Sequence, residues 1–325
     1  MIPARLERGD EVRVVSPAVS LGFIPEEQKL IARERLEDFG LRLSFSTNVG
    51  VMDRFDSSPV QARVSDLHEA FSDPEVKGIL TTLGGYNSNG LLGYLDYGLF
   101  RANLKIFCGF SDITALATAI HARTGLVTYS GPHFTTFGMK RGIEYTEEYF
   151  ERCLMRGQPF EVLPADHWSD DLWYQDQEDR EFVPNPGYEV MYEGEAEGKL
   201  LGGNLGTLCL LFGTPYMPDL EGSILLLEDD EEVNAVHFDR ALQSLIHQPG
   251  FEGVQGMVFG KFQRASNMDQ DTLTAIVESK RELDRMPIVA GASFGHTTPQ
   301  FTFPIGGYGR LHAGDGAARL SINVH

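Results

Sequence analysis

Three side chains able to carry acyl transfer stand at the ends of apolar runs: Ser111 in CGFSD, Glu228 in ILLLED and His296 in SFGHTTP. A hydroxyl can attack a carbonyl, an imidazole can shuttle the proton, and a carboxylate can orient the imidazole. Each run reads as a buried strand. In open α/β sheets, ligands gather outside the carboxyl ends of the strands, so three such ends can share one cleft.

Each residue has an ordinary alternative. Ser111 and Asp112 lie between the strand KIFCGFS and the helix pattern DITALATAIHARTG, where Ser and Asp are usual helix caps. The sharper reading is a nucleophile on a tight strand-to-helix turn. Gly109-Phe110-Ser111 matches the first half of GxSxG, but Ile113 stands where the last glycine would be. Glu228 is the first acid at the end of SILLLE. The following Asp229, Asp230, Glu231 and Glu232 read as a solvated loop, or as a divalent-cation site that lacks ligand-loop spacing. His296, between Gly295 and a Thr-Thr-Pro turn, is better placed as a base than the other histidines; His133 in SGPH competes with it. No HExxH or CxxC spacing is present, so neither a metal nor another cofactor is expected.

Two glycine-rich loops, GGYNSNG (84–90) and GGNLGT (202–207), each allow three readings. They can cradle phosphate, bring a backbone amide to a developing oxyanion, or simply turn the chain. Asn204 in the second loop either binds substrate or caps a helix. Trp168, Trp173 and Tyr174 lie in an acidic stretch, either as hydrophobic plugs or as a surface for stacking a planar ligand such as a purine. Tyr86, Asn204, Trp168 and Trp173 are the expected substrate contacts.

The elements that must position these groups alternate strand and helix. VRVVSPA, LRLSFST, GILTTLGG, KIFCGFS and VTYSGPH read as strands. Helical patterns separate them: 25–40, started by Pro25 and ended by Gly40, then 59–72, 88–100 and 112–125. This rhythm predicts a doubly wound, mostly parallel sheet. The acidic, aromatic segment 150–197 breaks it. Beyond Lys199 come LLGGN, SILLLE, VQGMVFGKF and PIVAGASFG, with helices through Phe238, Leu242 and Leu245 and over 271–284. The glycine-punctuated tail reads as antiparallel hairpins. The expected division is an N-terminal α/β domain over 1–150 carrying the nucleophile, a linker and substrate-binding loop over 151–197, and a C-terminal domain over 198–325 carrying Glu228 and His296.

Composition narrows the partners. The 325 residues include 27 Lys and Arg against 47 Asp and Glu, a net charge of −20. Such a polyanion repels phosphate backbones and anionic lipid, which disfavours nucleic acid and membrane surfaces. The three cysteines are odd in number and scattered, with no disulfide framework. Cys108 and Cys209 read as core residues. No leader and no apolar run near the ~20 residues of a membrane span is seen, so a cytoplasmic location is expected.

Taken together, GDEVRVVSPA, LGGYNSNGLLGYLDY, GFSDITALATAIHARTGLVTYSGP, GKLLGGNLGTL, FGTPYMP, ILLLED and GHTTPQFTFPIG resemble the LD-carboxypeptidase family of serine peptidases, and within it the microcin C self-immunity branch. The resemblance implies a Ser111–Glu228–His296 triad and an oxyanion hole from the Gly85 and Asp112 amides. It implies an N-terminal α/β sheet domain, a C-terminal domain with barrel-like β structure, and a homodimer. The implied substrate is a small peptide or peptidyl-nucleotide conjugate. The alternatives are a murein tetrapeptide releasing D-alanine, a metal-dependent hydrolase using the acidic run, and a non-catalytic protein binding a nucleotide or sugar phosphate.

Overall fold

The computed structural model describes residues 1–314 and 316–325. Strands β1 (Glu11–Val15), β2 (Arg42–Phe45), β3 (Val76–Thr81), β4 (Ile106–Cys108) and β5 (Thr128–Ser130) form a parallel sheet. Helices on its faces bury periodic apolar positions, such as Ala32 and Leu36 on Glu26–Asp38 and Leu67 and Phe71 on Val60–Ser72. Gly40 and Gly125, both with positive φ, end the helices that they follow, because a left-handed residue costs glycine no Cβ clash.

The acidic segment does more than link. It supplies β6 (Phe160–Val162), a two-stranded ribbon of β7 (His167–Trp168) and β8 (Val183–Pro184), and β9 (Glu189–Tyr192). Then follow β10 (Gly194–Asn204), β11 (Ser223–Glu228), β12 (Gly256–Gly260), β13 (Ile288–Ala292), β14 (Phe303–Ile305), β15 (Tyr308–Gly314) and β16 (Ala317–Val324). The second sheet has the order β6-β16-β15-β10-β11-β12-β13-β9. Its parallel centre, β10 to β13, is flanked by antiparallel strands. The sheet curls like a barrel wall, and the Tyr188 hydroxyl beside β9 donates to Val162 O of β6 at 2.6 Å.

Three elements differ from the sequence expectation. Residues 88–100 form a 3-10 turn, Ser88–Tyr94, before a short helix, Tyr97–Ala102. The helix expected over 271–284 stops at Glu278 and is followed by a separate 3-10 turn at Arg281–Leu283. The tail is one hairpin, β15–β16, and not several, because β14 leaves the second sheet and pairs antiparallel with β5 of the first. All of residues 301–305 are buried, and a strand covered on both faces belongs inside a layered sheet rather than in an open hairpin.

The first sheet has the order β14-β5-β4-β3-β1-β2, so chain order reverses between β1 and β3. A crevice outside the carboxyl ends of the strands is expected at such a reversal. The chain from β13 to β14 runs from one sheet to the other and carries His296 across that crevice. Phe294, Phe301 and Phe303 anchor the crossing, with ring centroids 5.3–6.2 Å apart. Cys108 is buried as expected, whereas Cys209 is only half-buried. Among the described residues, no helix is long and apolar enough to cross a membrane.

Candidate active site

Ser111 occupies the turn between β4 and helix Ile113–Thr124 with φ +60°, a conformation that costs a serine about 1–3 kcal/mol. Glycines clear the space around it. A Cβ on Gly84 would lie 2.9 Å from both Cβ and Oγ of Ser111, and one on Gly109 would collide with Thr81 Oγ1. Neither Ser111 nor Asp112 caps the helix through its side chain. The Asp112 carboxylate instead accepts from the amides of Asn87 (3.1 Å) and Ser88 (2.9 Å), tying the loop after β3 to the Ser111 turn. Burial raises the Asp112 pKa, against the effect of these bonds.

The Ser111 hydroxyl donates to His296 Nε2 at 3.0 Å, and His296 Nδ1 donates to Glu228 Oε2 at 2.7 Å. Glu228 ends β11 and is 2% exposed. Two glycines cut its slot: a Cβ on Gly295 would lie 2.5 Å from Glu228 Oε2, and one on Gly260 would lie 2.8 Å from Glu228 Cβ. Burial disfavours the His296 imidazolium, but Glu228, with Asp230 and Asp229 behind it, outweighs burial and pushes the pKa up to about 9. His133 has no part in this chain of bonds. It is 1% exposed, its Nδ1 lies 2.8 Å from Thr81 Oγ1, and its ring stacks on Phe110. Burial, with His296 nearby, lowers its pKa to about 3.

The amides of Gly85 and Asp112 flank the Ser111 turn. Among the described residues, neither donates to a protein acceptor. Gly85 has φ +151°, and a Cβ there would sit 3.0 Å from Val19 Cγ2 and 3.1 Å from Ala18 Cβ.

Of the four expected substrate contacts, the cleft of about 730 Å³ brings together Tyr86 and Trp173. Tyr86 is 76% exposed at its mouth and donates to Glu232 Oε1 at 2.9 Å. Trp173 packs edge-to-face on Tyr174. Its loop is pinned to the His296 crossing by paired backbone bonds of 2.8 Å between Ser169 and Thr298. Trp168 lies outside this cleft, with Lys261 Nζ and the Arg264 guanidinium 5.0 and 4.9 Å from its ring. Asn204 is buried away from the cleft lining. Its Oδ1 caps helix Leu205–Cys209 by accepting from Thr207 N, and its Nδ2 donates to Asp229 at 2.9 Å.

Gly203 of GGNLGT serves packing, since a Cβ there would lie 2.5 Å from Thr114 Oγ1. The acidic run after Glu228 is not simply a solvated loop, because Asp230, Glu231 and Glu232 line the cleft. The sequence signal is their position two to four residues after Glu228. Among the described residues, no group of three His, Cys, Asp or Glu side chains is gathered to hold a metal ion.

Residues 12–131 match the LD-carboxypeptidase N-terminal domain and residues 197–311 the LD-carboxypeptidase C-terminal domain. The chain is 52% identical to the Bacillus subtilis protein YocD over the full length of both. It superposes on an MccF-like protein from Bacillus anthracis with a TM-score of 0.99, 52% identity and full coverage of both chains. Microcin C7 self-immunity protein MccF in complex with aspartyl sulfamoyl adenosine gives a TM-score of 0.89 at 27% identity, covering 100% of this chain and 99% of that one. This chain therefore belongs to the LD-carboxypeptidase family and is a serine-type carboxypeptidase or amide hydrolase.

Proposed function

We propose that the protein hydrolyses the amide at the C-terminal end of a small peptide conjugate, an aminoacyl or peptidyl group joined to a nucleoside-type moiety, in the manner of microcin C immunity. The observation that carries this reading is the Ser111–His296–Glu228 chain of 3.0 and 2.7 Å bonds beside Trp173. Ser111 attacks the carbonyl while His296 takes its proton. Glu228 holds the imidazole tautomer and stabilises the imidazolium. The Gly85 and Asp112 amides receive the oxyanion, the latter helped by the positive end of helix Ile113–Thr124. His296 returns the proton to the leaving nitrogen, and water then clears the acyl-enzyme through the same base. Trp173 stacks the nucleobase, and Tyr86 closes the opposite side.

A second reading, release of D-alanine from a murein tetrapeptide, is favoured by one observation. Neither Lys nor Arg is among the cleft-lining residues that would pair with a phosphate or sulfamate. We also propose a cytoplasmic homodimer: the resemblance supports the dimer, and the net charge of −20 disfavours nucleic acid and membrane surfaces. The strand–helix rhythm, broken by the acidic segment 150–197, supports a division into 1–150, 151–197 and 198–325, with the active site between the first and last.

The test is incubation with alanyl sulfamoyl adenosine and with a murein tetrapeptide, followed by mass spectrometry, with Ser111→Ala as control. Release of sulfamoyl adenosine by the wild type, reduced by ~10⁴-fold or more in the variant, is the expected result. Release of D-alanine alone selects the second reading. Equal turnover by a folded Ser111→Ala protein removes both.

A further inference from the structure

The charged side chains lining the cleft, apart from histidine, are all acidic: Asp56, Asp171, Asp230, Glu231 and Glu232. Among the described residues, none of the five is in an ion pair. Asp171 is committed to the loop, accepting from the Ser169 hydroxyl and the Glu181 amide at 2.7 Å each. Glu232 meets only the phenol of Tyr86 at 2.9 Å, a neutral donor. Asp230, Glu231 and Glu232 come two to four positions after Glu228 and line the cleft, so they stand beside the reacting centre rather than on a remote surface.

A second and independent observation has the same chemical sense. His133 is 1% exposed and belongs to the wall of the same cleft. Its Nδ1 is paired with the Thr81 hydroxyl at 2.8 Å, and burial, with His296 nearby, holds its pKa at about 3, so the ring brings no positive charge to the cleft. Neither this histidine nor any Lys or Arg therefore offsets the carboxylates of the lining. Tyr174, which the nucleobase does not use, stands among the carboxylates, and an aromatic face beside carboxylates suits an ammonium or guanidinium.

We infer that the cleft selects conjugates whose acyl portion carries a cationic side chain, an ammonium or guanidinium, and disfavours those with an acidic one. This rests on the proposed amide hydrolysis. On that reading the leaving nucleoside moiety carries no cation and the α-ammonium is common to every aminoacyl conjugate, so the carboxylates beyond those that it meets distinguish conjugates by the side chain. An aspartyl or glutamyl group would enter a field of like charge with no Lys or Arg in the lining to meet it.

The test uses lysyl, norleucyl and glutamyl sulfamoyl adenosine, which share one leaving group and differ in side-chain charge. With the wild-type protein, kcat/KM is expected to fall from lysyl to norleucyl by about tenfold in low salt and again to glutamyl. The lysyl-to-norleucyl ratio should narrow between about 20 and about 300 mM salt, as charges are screened. In the triple variant Asp230→Asn, Glu231→Gln, Glu232→Gln the ratio should approach one, whatever the absolute rate. A wild-type ratio at or below one, or a preference for glutamyl, overturns the inference. Calorimetric binding of the same three compounds to Ser111→Ala protein, checked as folded by thermal melting, gives a reading independent of turnover. Tighter lysyl than glutamyl binding supports the inference even if no conjugate, alanyl included, is cleaved by the wild type. In that case the proposed reaction falls and the charge preference stands. Turnover of the alanyl conjugate without any charge preference has the opposite meaning.

Discussion

Gly84 and Ser111, on loops that follow different strands, touch so closely that one methyl group on Gly84 would sit 2.9 Å from both Cβ and Oγ of Ser111. The serine is already held at φ +60°, so its side chain has little room to yield. Gly84→Ala is therefore expected to push Oγ off its line to His296. A displacement on the order of 1 Å at a reacting group can cost ~10²-fold in rate. The measurement is kcat on a cleaved conjugate beside a circular dichroism melt. A folded variant with wild-type kcat would show that the Ser111 position tolerates the shift.

His296 must be neutral to accept the serine proton, and its pKa is raised to about 9. Below that value each pH unit removes most of the active form, so kcat/KM is expected to climb from pH 7 and level off above about 9. Asp230→Asn removes one of the charges that raise the pKa, and its rising limb should lie at lower pH than that of the wild type. A profile already flat at pH 7 in the wild type would contradict this.

Glu228→Gln keeps the shape of the slot but offers an amide where Nδ1–H needs an acceptor. The wrong tautomer then faces Ser111, and loss of kcat by about 10⁴-fold is expected, as for an acid-to-amide change in other serine triads. The acid limb of whatever activity is left should also move down, because the largest charge raising the His296 pKa is gone.

The two tryptophans should separate by readout. Trp173→Ala removes a cleft wall and is expected to raise KM for a nucleoside conjugate by about tenfold or more, since stacking on one base is worth ~1–3 kcal/mol. Trp168→Ala removes the ring between Lys261 and Arg264. It should lower the melting temperature and leave KM within about twofold, as for a residue away from the site. Reversal of the two phenotypes would place the stacking surface on the ribbon.

Asn204→Ala deletes a helix cap and leaves the buried Asp229 without its Nδ2 donor. Loss of the cap alone costs ~1 kcal/mol. Urea unfolding should therefore show a lower midpoint, with KM unchanged. A large rise in KM at wild-type stability would return Asn204 to the substrate.

Much of this was written in residue types and spacing. The periods of helix and strand are local, so Ala32 with Leu36, or Leu67 with Phe71, announced their buried faces from sequence alone. Ser111, Glu228 and His296 were legible because each follows an apolar strand, and parallel strands place their carboxyl ends on one edge. What the tertiary structure decided depends on contacts between distant segments. The route of β14 into the first sheet was hidden because strand pairing is a long-range choice that no local pattern encodes. Asn204 and Tyr86 looked equivalent as polar residues in glycine-rich loops. Packing turned one inward as a cap and left the other at the cleft mouth. Trp168 and Trp173 lie five positions apart, yet the Ser169–Thr298 bridge aims the loop beyond it at the cleft and leaves Trp168 to Lys261 and Arg264. The acidic run read as solvated because charge alone predicts water. Only the fold, by ending β11 at the crevice, lines the cleft with it.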